Sequence, residues 1–325
     1  MDFELSEDQE ALAEGVAALC EGRFDIDAVR AMQDGGLDRG RWRELAETGV
    51  FALALPEDAG GVGMGWAEVA VVFEQLGIAL VPGPLVATTL AASVGSEVLA
   101  GASDGSVVVA SVERSEGSVA IEHLAWADVV VIVDDDGLTA VRAADLAGVA
   151  APQPLDPLTP VAVVDSLPPG DRVGDAAAAA TWRLRGAMLT SALQLGLAVG
   201  ATDLAVSYAK EREQFGKPIG AFQAVKHRCA DMVTRVEVLR AAVYAAAVTL
   251  DGNGVDTPER AVRVAKILAS HSAAACGKDC VQVHGGMGYT WEVDAHLFLK
   301  RAWVHDLAFG DGEEFAEELA GELLP

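Results

Sequence analysis

Beyond Asp175 the chain consists almost wholly of helix-forming sequence, and that half constrains the architecture of the rest. Four Ala-rich segments, at about Ala176 to Arg212, Ala221 to Leu250, Pro258 to Val283 and Val293 to Leu307, are separated only by short Gly-containing turns. Ala is the strongest intrinsic helix former. Long helices joined by short turns fold back on one another, so this pattern predicts an antiparallel four-helix bundle. Upstream, Ser6 and Gln9 form a capping box ahead of Ala11, Leu12, Val16 and Leu19, which predicts an opening helix. Further helices are expected from Arg41 to about Thr48 and from Trp66 to Gly77, and after the Pro82-Gly83-Pro84 break to about Ala100. The extended Gly-rich stretch from Phe51 to Gly63 lies between the first two of these.

Between the helical parts stand short β-branched runs: Val107 to Ser111, Asp128 to Val133 and Pro160 to Val164, with a turn at Asp134 to Gly137 and an exit at Pro168-Pro169-Gly170-Asp171. The expected fold is therefore mostly α with a small central β module. Residues 1–103 form an N-terminal helical domain, 104–170 a reduced β domain and 171–325 the C-terminal four-helix bundle.

The 325 residues are 51% hydrophobic and carry a formal net charge of -26. The first figure supports a substantial core; the second opposes nucleic acid or an anionic membrane as partner. No uninterrupted apolar run reaches a bilayer-spanning length, and Met1 to Leu5 lack the basic start and apolar core of a signal peptide, so a cytoplasmic location is expected. Cys20, Cys229, Cys276 and Cys280 have no paired CxxC spacing and read as buried reduced thiols, with no metal site. One stretch runs against the overall charge. Lys210, Arg212, Lys217, Lys226 and Arg228 face only Glu211 and Glu213, a local balance of +3 that suits a phosphate-bearing ligand.

That stretch holds the string Arg212-x-Gln214-Phe215-Gly216-x-Pro218-Ile219, followed by Phe222, Gln223 and His227. Arg212 offers a fixed fork of donors for pyrophosphate, Gln214 can bond a ribose or phosphate oxygen, and Phe215 supplies an apolar wall. A second string, Gln282-x-x-Gly285-Gly286-x-Gly288-Tyr289, ends the third bundle helix, where the glycines permit positive φ and close backbone approach to a ligand. Each residue alone would more often be ordinary surface or helix stop.

Together, in this order and spacing, the two strings resemble the adenosine-diphosphate-binding motifs of the acyl-CoA dehydrogenase family. Leu5 to Gln9 and Leu53 to Met64 resemble that family's opening helix and its PEExGGxG turn. The resemblance implies the fold of that family, and FAD whose ADP end is held by Arg212, Gln214, Phe215, Ile219, Phe222, Gln282, Gly285 and Gly286. It also implies that the flavin ring of that FAD belongs to a neighbouring subunit.

The chain departs from the family where chemistry should follow. The usual base comes 27 residues after the Gln of the second motif, and 282 + 27 falls on Phe309. The alternative position, on the first bundle helix, reads Arg183-Leu-Arg185-Gly186-Ala-Met188, again without a carboxylate. The Ala110 to Ser118 loop only faintly matches the family's flavin-contacting loop, and a Trp-x-Thr-Asn-Gly-like strand is missing. Asp306, Asp311, Glu313 and Glu314 read as a solvated acidic face rather than a relocated base; His284 and His305 read as packing or helix-end residues.

The resemblance thus implies the smaller, non-catalytic subunit of a heteromeric, α2β2 acyl-CoA dehydrogenase, similar to actinobacterial enzymes acting on steroid side-chain CoA thioesters. The larger partner would supply the Glu and bind most of the acyl-CoA, and an electron-transfer flavoprotein would be the acceptor. Two alternatives are a self-sufficient homo-oligomeric flavoenzyme, of a monooxygenase or nitroalkane-oxidase-like class, and a cofactor-free scaffold for a partner dehydrogenase.

Overall fold

The computed structural model describes residues 5–254 and 256–323, so the part of the N-terminal reading that falls on residues 1–4 lies outside the described residues. Among the described residues the N-terminal part contains α1 (Glu7–Arg23), α2 (Ile26–Gly35), α3 (Arg39–Glu47), α4 (Trp66–Ile78) and α5 (Leu85–Ala92). The capping box forms with both arms, Ser6 N–H donating to Gln9 Oε1 at 3.1 Å and Gln9 N–H donating to Ser6 Oγ at 3.3 Å. α2 is an addition to the sequence reading, started by Asp25, whose carboxylate accepts from Ala28 N–H at 2.8 Å. α5 is shorter than expected. It ends at Ala92, Gly95 turns left-handed with φ 72°, and a 3-10 turn over Glu97–Ala102 replaces the expected continuation.

Seven strands follow: β1 (Val109–Glu113), β2 (Val119–Glu122), β3 (Val129–Asp134), β4 (Gly137–Arg142), β5 (Gly148–Ala150), β6 (Val161–Val164) and β7 (Asp171–Asp175). They make two sheets, ordered β1-β3-β4-β7 and β2-β6-β5. β1 and β3 run parallel, and the remaining pairs are antiparallel. Alternation places Ala110, Val130, Ile132 and Val141 of the first sheet against Val119, Ile121, Ala162 and Val164 of the second, in one apolar core. The β module is therefore a two-layer structure rather than three isolated runs.

The C-terminal part contains α6 (Ala176–Glu211), a hairpin of β8 (Glu213–Gln214) and β9 (Lys217–Pro218), α7 (Gln223–Leu250), α8 (Pro258–His284), α9 (Ala295–Leu307) and α10 (Gly312–Leu323). The expected bundle helices are present. α10 is a fifth helix that the acidic composition had concealed. By length and composition α6 could cross a membrane, contrary to the expectation that no segment qualifies, because Ala and Gly carry its apolarity between few charges. Of its most apolar stretch, however, 78% is buried inside the protein, as in a core helix.

The chain forms two compact units: Met1–Cys20 with Ala70–Leu80 and Ala187–Pro325, and Glu21–Val69 with Val81–Gly186. In the first, the end of α4 meets α6 backbone to backbone. A Cβ on Gly196 would stand 2.0 Å from Glu74 O, and one on Gly77 would stand 2.3 Å from Leu193 O. Glu74 itself is buried at 3% exposure and accepts from Arg240 Nη2 at 2.9 Å and Tyr244 Oη at 2.5 Å. Burial opposes the Arg240 charge, but Glu74 and Glu237 outweigh it and hold the guanidinium pKa above its ordinary value. Burial, then the Glu74 charge, pushes the Tyr244 hydroxyl upward too. A carboxylate so deep in the protein is tolerated because it is hydrogen-bonded on both oxygens.

Candidate functional site

α6 stops at Glu211 and the chain turns back within two residues. Gln214 pairs with Lys217 and Glu213 with Pro218, leaving Phe215 and Gly216 as the loop. Both have positive φ, 53° and 76°, the geometry whose twist suits a two-residue hairpin. Gly takes this conformation freely, whereas Phe is strained there. Phe215 is also 92% exposed, its ring edge-on to Phe222 with centroids 6.1 Å apart. Beyond that one ring contact a bulky apolar side chain so strained and exposed gains little from this chain, which points to an occupant from outside it. Ile219 N–H donates to Arg212 O at 2.8 Å, closing the turn before α7 begins at Gln223; Gln223 and His227 are exposed near its start.

The second string forms the end of α8 and the 3-10 turn after it, Gly285–Tyr289. Its glycines do different work. A Cβ on Gly288 would lie 2.5 Å from Val281 O, so Gly288 is required for packing. Gly285 (φ 61°) and Gly286 are exposed, and a Cβ on either would meet nothing within 4 Å. These two border open space and leave their backbone accessible. Gln282 is exposed on the last turn of α8.

A ring stack joins the two strings. Tyr208, whose carbonyl accepts from Arg212 N–H at 2.8 Å, lies against His284, the residue preceding Gly285, with centroids 4.2 Å apart and planes 23° from parallel. His284 is buried, and its Nδ1 lies 2.8 Å from Cys280 O, so Nδ1 carries the hydrogen and donates. α7 and α8 are tied nearby by Asp279, paired with Arg228 and, at 2.7 Å, with Arg235. Arg212, Gln214, Phe215, Gly285 and Gly286 thus belong to one exposed end of the helices, where a phosphorylated ligand would meet donors and accessible backbone.

The cysteines are not part of this end's chemistry. Burial raises the Cys20 and Cys280 thiols to about 12 and Cys276 to about 11, which leaves them protonated; Cys229, expected to be buried, is only half-buried, and burial raises its thiol too. Among the described residues no group of three or more His, Cys, Asp or Glu could hold a metal ion.

Phe309 lies in the loop between α9 and α10, half-buried with φ 57°, followed by Gly310 with φ 112°. Asp311 Oδ1 accepts from Glu313 N–H at 2.7 Å, so Asp311 caps α10, and Glu313 and Glu314 occupy its first turn where carboxylates favour the helix dipole. At the alternative position Arg183 forks onto Glu113, Nη2 to Oε2 at 2.9 Å, and this bond raises its pKa. Arg185 stacks over Trp66 at 4.6 Å, and Met188 is fully buried.

Sequence reasoning missed Lys266, a fully buried lysine on α8. Its ammonium donates to His305 O at 2.5 Å, Asp306 O at 3.0 Å and Gln194 Oε1 at 3.3 Å. It therefore caps the carbonyl end of α9 directly before the Phe309 loop. The available signal was a Lys on the apolar stripe of Val262, Ala265 and Ala269. Lys266→Met keeps the length and removes the donors, leaving three acceptors without this partner. The expected loss is about 2 kcal/mol, with faster amide exchange confined to residues 305–312; unchanged exchange there would dismiss the capping role.

Residues 178–323 match the model of the acyl-CoA dehydrogenase C-terminal domain and residues 6–104 that of the N-terminal domain. The chain is 37% identical over 335 residues to "Acyl-CoA dehydrogenase IpdE2" of Mycolicibacterium smegmatis, covering 98% of this chain and 100% of that protein. Among solved structures, the ChsE4-ChsE5 complex from Mycobacterium tuberculosis shares the fold with a TM-score of 0.86 at 23% identity, over 100% of both chains. The Tcur3481-Tcur3483 steroid ACAD aligns with a TM-score of 0.84 at 25% identity, over 97% of both.

Proposed function

The chain belongs to the acyl-CoA dehydrogenase family, and on that footing we propose that it is the smaller, base-lacking subunit of a heteromeric FAD-dependent acyl-CoA dehydrogenase. The observation that carries this reading is that the two turns resembling the family's nucleotide-binding motifs meet at one end of the helices, while Phe309 stands where the resemblance puts the base. Removal of the proton next to a thioester needs a carboxylate within hydrogen-bond reach. Phe309 has no group that can accept a proton.

Arg212, Gln214, Phe215, Ile219, Phe222, Gln282, Gly285 and Gly286 would hold the ADP end of FAD. The exposed donors, the strained Phe215 and the open backbone at Gly285–Gly286 fit that group. FAD, when bound, supplies the acceptor for the hydride leaving the β-carbon. In this role Arg212 neutralises pyrophosphate, and Phe215 shields it from water. The larger subunit would contribute the Glu, the flavin-facing surface and most of the CoA-thioester contacts. The ChsE4-ChsE5 complex and the Tcur3481-Tcur3483 steroid ACAD, each named as a pair, favour a heteromer acting on a steroid-derived acyl-CoA. An electron-transfer flavoprotein as acceptor and a cytoplasmic location complete this reading.

Expressed alone, the chain should be flavin-poor and inactive; expressed with a larger dehydrogenase subunit, it should give a stable complex holding one FAD per heterodimer. Arg212→Ala in that complex should weaken FAD retention about 10- to 100-fold through loss of a charge-assisted bidentate contact, leaving the rate per bound flavin unchanged. Flavin dilution assays read both quantities. Robust turnover by the isolated flavin-loaded chain, or normal FAD affinity in the Arg212→Ala complex, would sink the proposal.

A further inference from the structure

We infer that Lys217 is a second phosphate-binding residue of the nucleotide site, sharing a pyrophosphate with Arg212. The inference rests on the reading of the hairpin given above and adds a residue to it. In an antiparallel hairpin, directly opposed residues share a face and successive residues alternate. Gln214 opposes Lys217, and the Ile219 N–H to Arg212 O bond continues the register one step outward. Gln214 and Lys217 therefore lie on one face of the hairpin and Glu213 and Pro218 on the other, so the Glu213 carboxylate points away from Lys217. Arg212 is held at the base of the same hairpin by its bond to Ile219.

Both cations are uncommitted. The chain has 49 acidic residues against 23 Lys and Arg, yet among the described residues neither Arg212 nor Lys217 takes part in an ion pair. The Lys217 ammonium rests instead 4.3 Å over the Phe222 ring, a weak cation–π contact that holds it beside the turn and releases it readily to an anion. A dinucleotide pyrophosphate carries one negative charge on each phosphate. The guanidinium fork matches one planar pair of oxygens, and the ammonium, a mobile point charge, suits the other. A nucleoside monophosphate would use only one of them.

The test uses the flavin-loaded assembly as purified, stripped of flavin and reloaded with FAD in competition with ADP or AMP at two salt concentrations. Lys217→Gln should weaken ADP about tenfold and AMP less than about threefold, and should reduce the salt dependence of ADP binding. Lys217→Arg should restore the ADP preference. Arg260→Gln removes the same charge from the start of α8, the end of that helix away from Gly285, and should change neither constant. An unchanged ADP constant in Lys217→Gln, or an equal loss in Arg260→Gln, overturns the inference. If Arg212→Ala still weakens ADP while Lys217→Gln does not, this inference alone fails; if neither substitution weakens it, the hairpin is not a nucleotide site.

Discussion

A complex whose larger subunit has lost its catalytic Glu should turn over about 10²- to 10⁴-fold more slowly, and Phe309→Glu in this chain should restore none of that activity. The loop can accept the new side chain. Its shape is set by Lys266 on the α9 carbonyls, by Asp311 at the start of α10 and by the φ of Gly310, none of which involves the Phe309 ring. A carboxylate at 309 would thus be presented, but it would have no thioester and no hydride acceptor in place, since both are expected at the partner's site. With an intact larger subunit, Phe309→Glu should leave turnover per FAD within about twofold of wild type, apart from some destabilisation from a half-buried charge. Rescue of the base-dead complex, or a severalfold loss on Phe309→Ala with the fold intact, would place this chain in the catalytic step.

Gly196→Val should abolish the folded protein. The Cβ would enter the backbone of α4 at 2.0 Å from Glu74 O, 2.7 Å from Ile78 N and 2.8 Å from Gly77 Cα, and backbone cannot step aside as the end of a flexible side chain can. The substitution must separate α4 from α6 and disturb the Glu74 hydrogen bonds to Arg240 and Tyr244. A cost above about 4 kcal/mol is expected, seen as loss of soluble protein or of the cooperative urea transition. Gly22→Ala is the matched control: exposed within α1, with nothing within 4 Å of its Cβ, it should stabilise by about 0.4–1 kcal/mol. A soluble, cooperatively unfolding Gly196→Val protein would show that this close crossing is not a constraint.

The sequence shows what local rules can show. The capping box at Ser6 and Gln9, the helix starting at Pro258 and the turn around Gly216 were all legible because each is encoded within a few residues. β7, Asp171–Asp175, was not, since Val173 is its only large apolar residue and its pairing partner, β4, lies elsewhere in the chain. α10 was concealed by reading Glu313 and Glu314 as surface charge, although Asp311 before them is an ordinary N-cap signal. The two strings proposed to bind nucleotide could be recognised, but their adjacency could not: it depends on Tyr208 meeting His284 through helix packing. Lys266 and Glu74 were missed for a related reason, because a buried charge becomes readable only once its partners in distant segments are known.

The anchoring of the α9–α10 loop bears on how such a subunit can arise and persist. Because Lys266 binds main-chain carbonyls and Gly310 supplies the bend, the loop is anchored outside residue 309, whose own positive φ of 57° costs an unbranched Glu and a Phe about the same. A duplicated gene could therefore exchange an acid for an aromatic there in one step without first losing its scaffold. The reverse step would cost the fold only the partial burial of a carboxylate, so the main barrier to regaining chemistry lies in the surroundings of the loop.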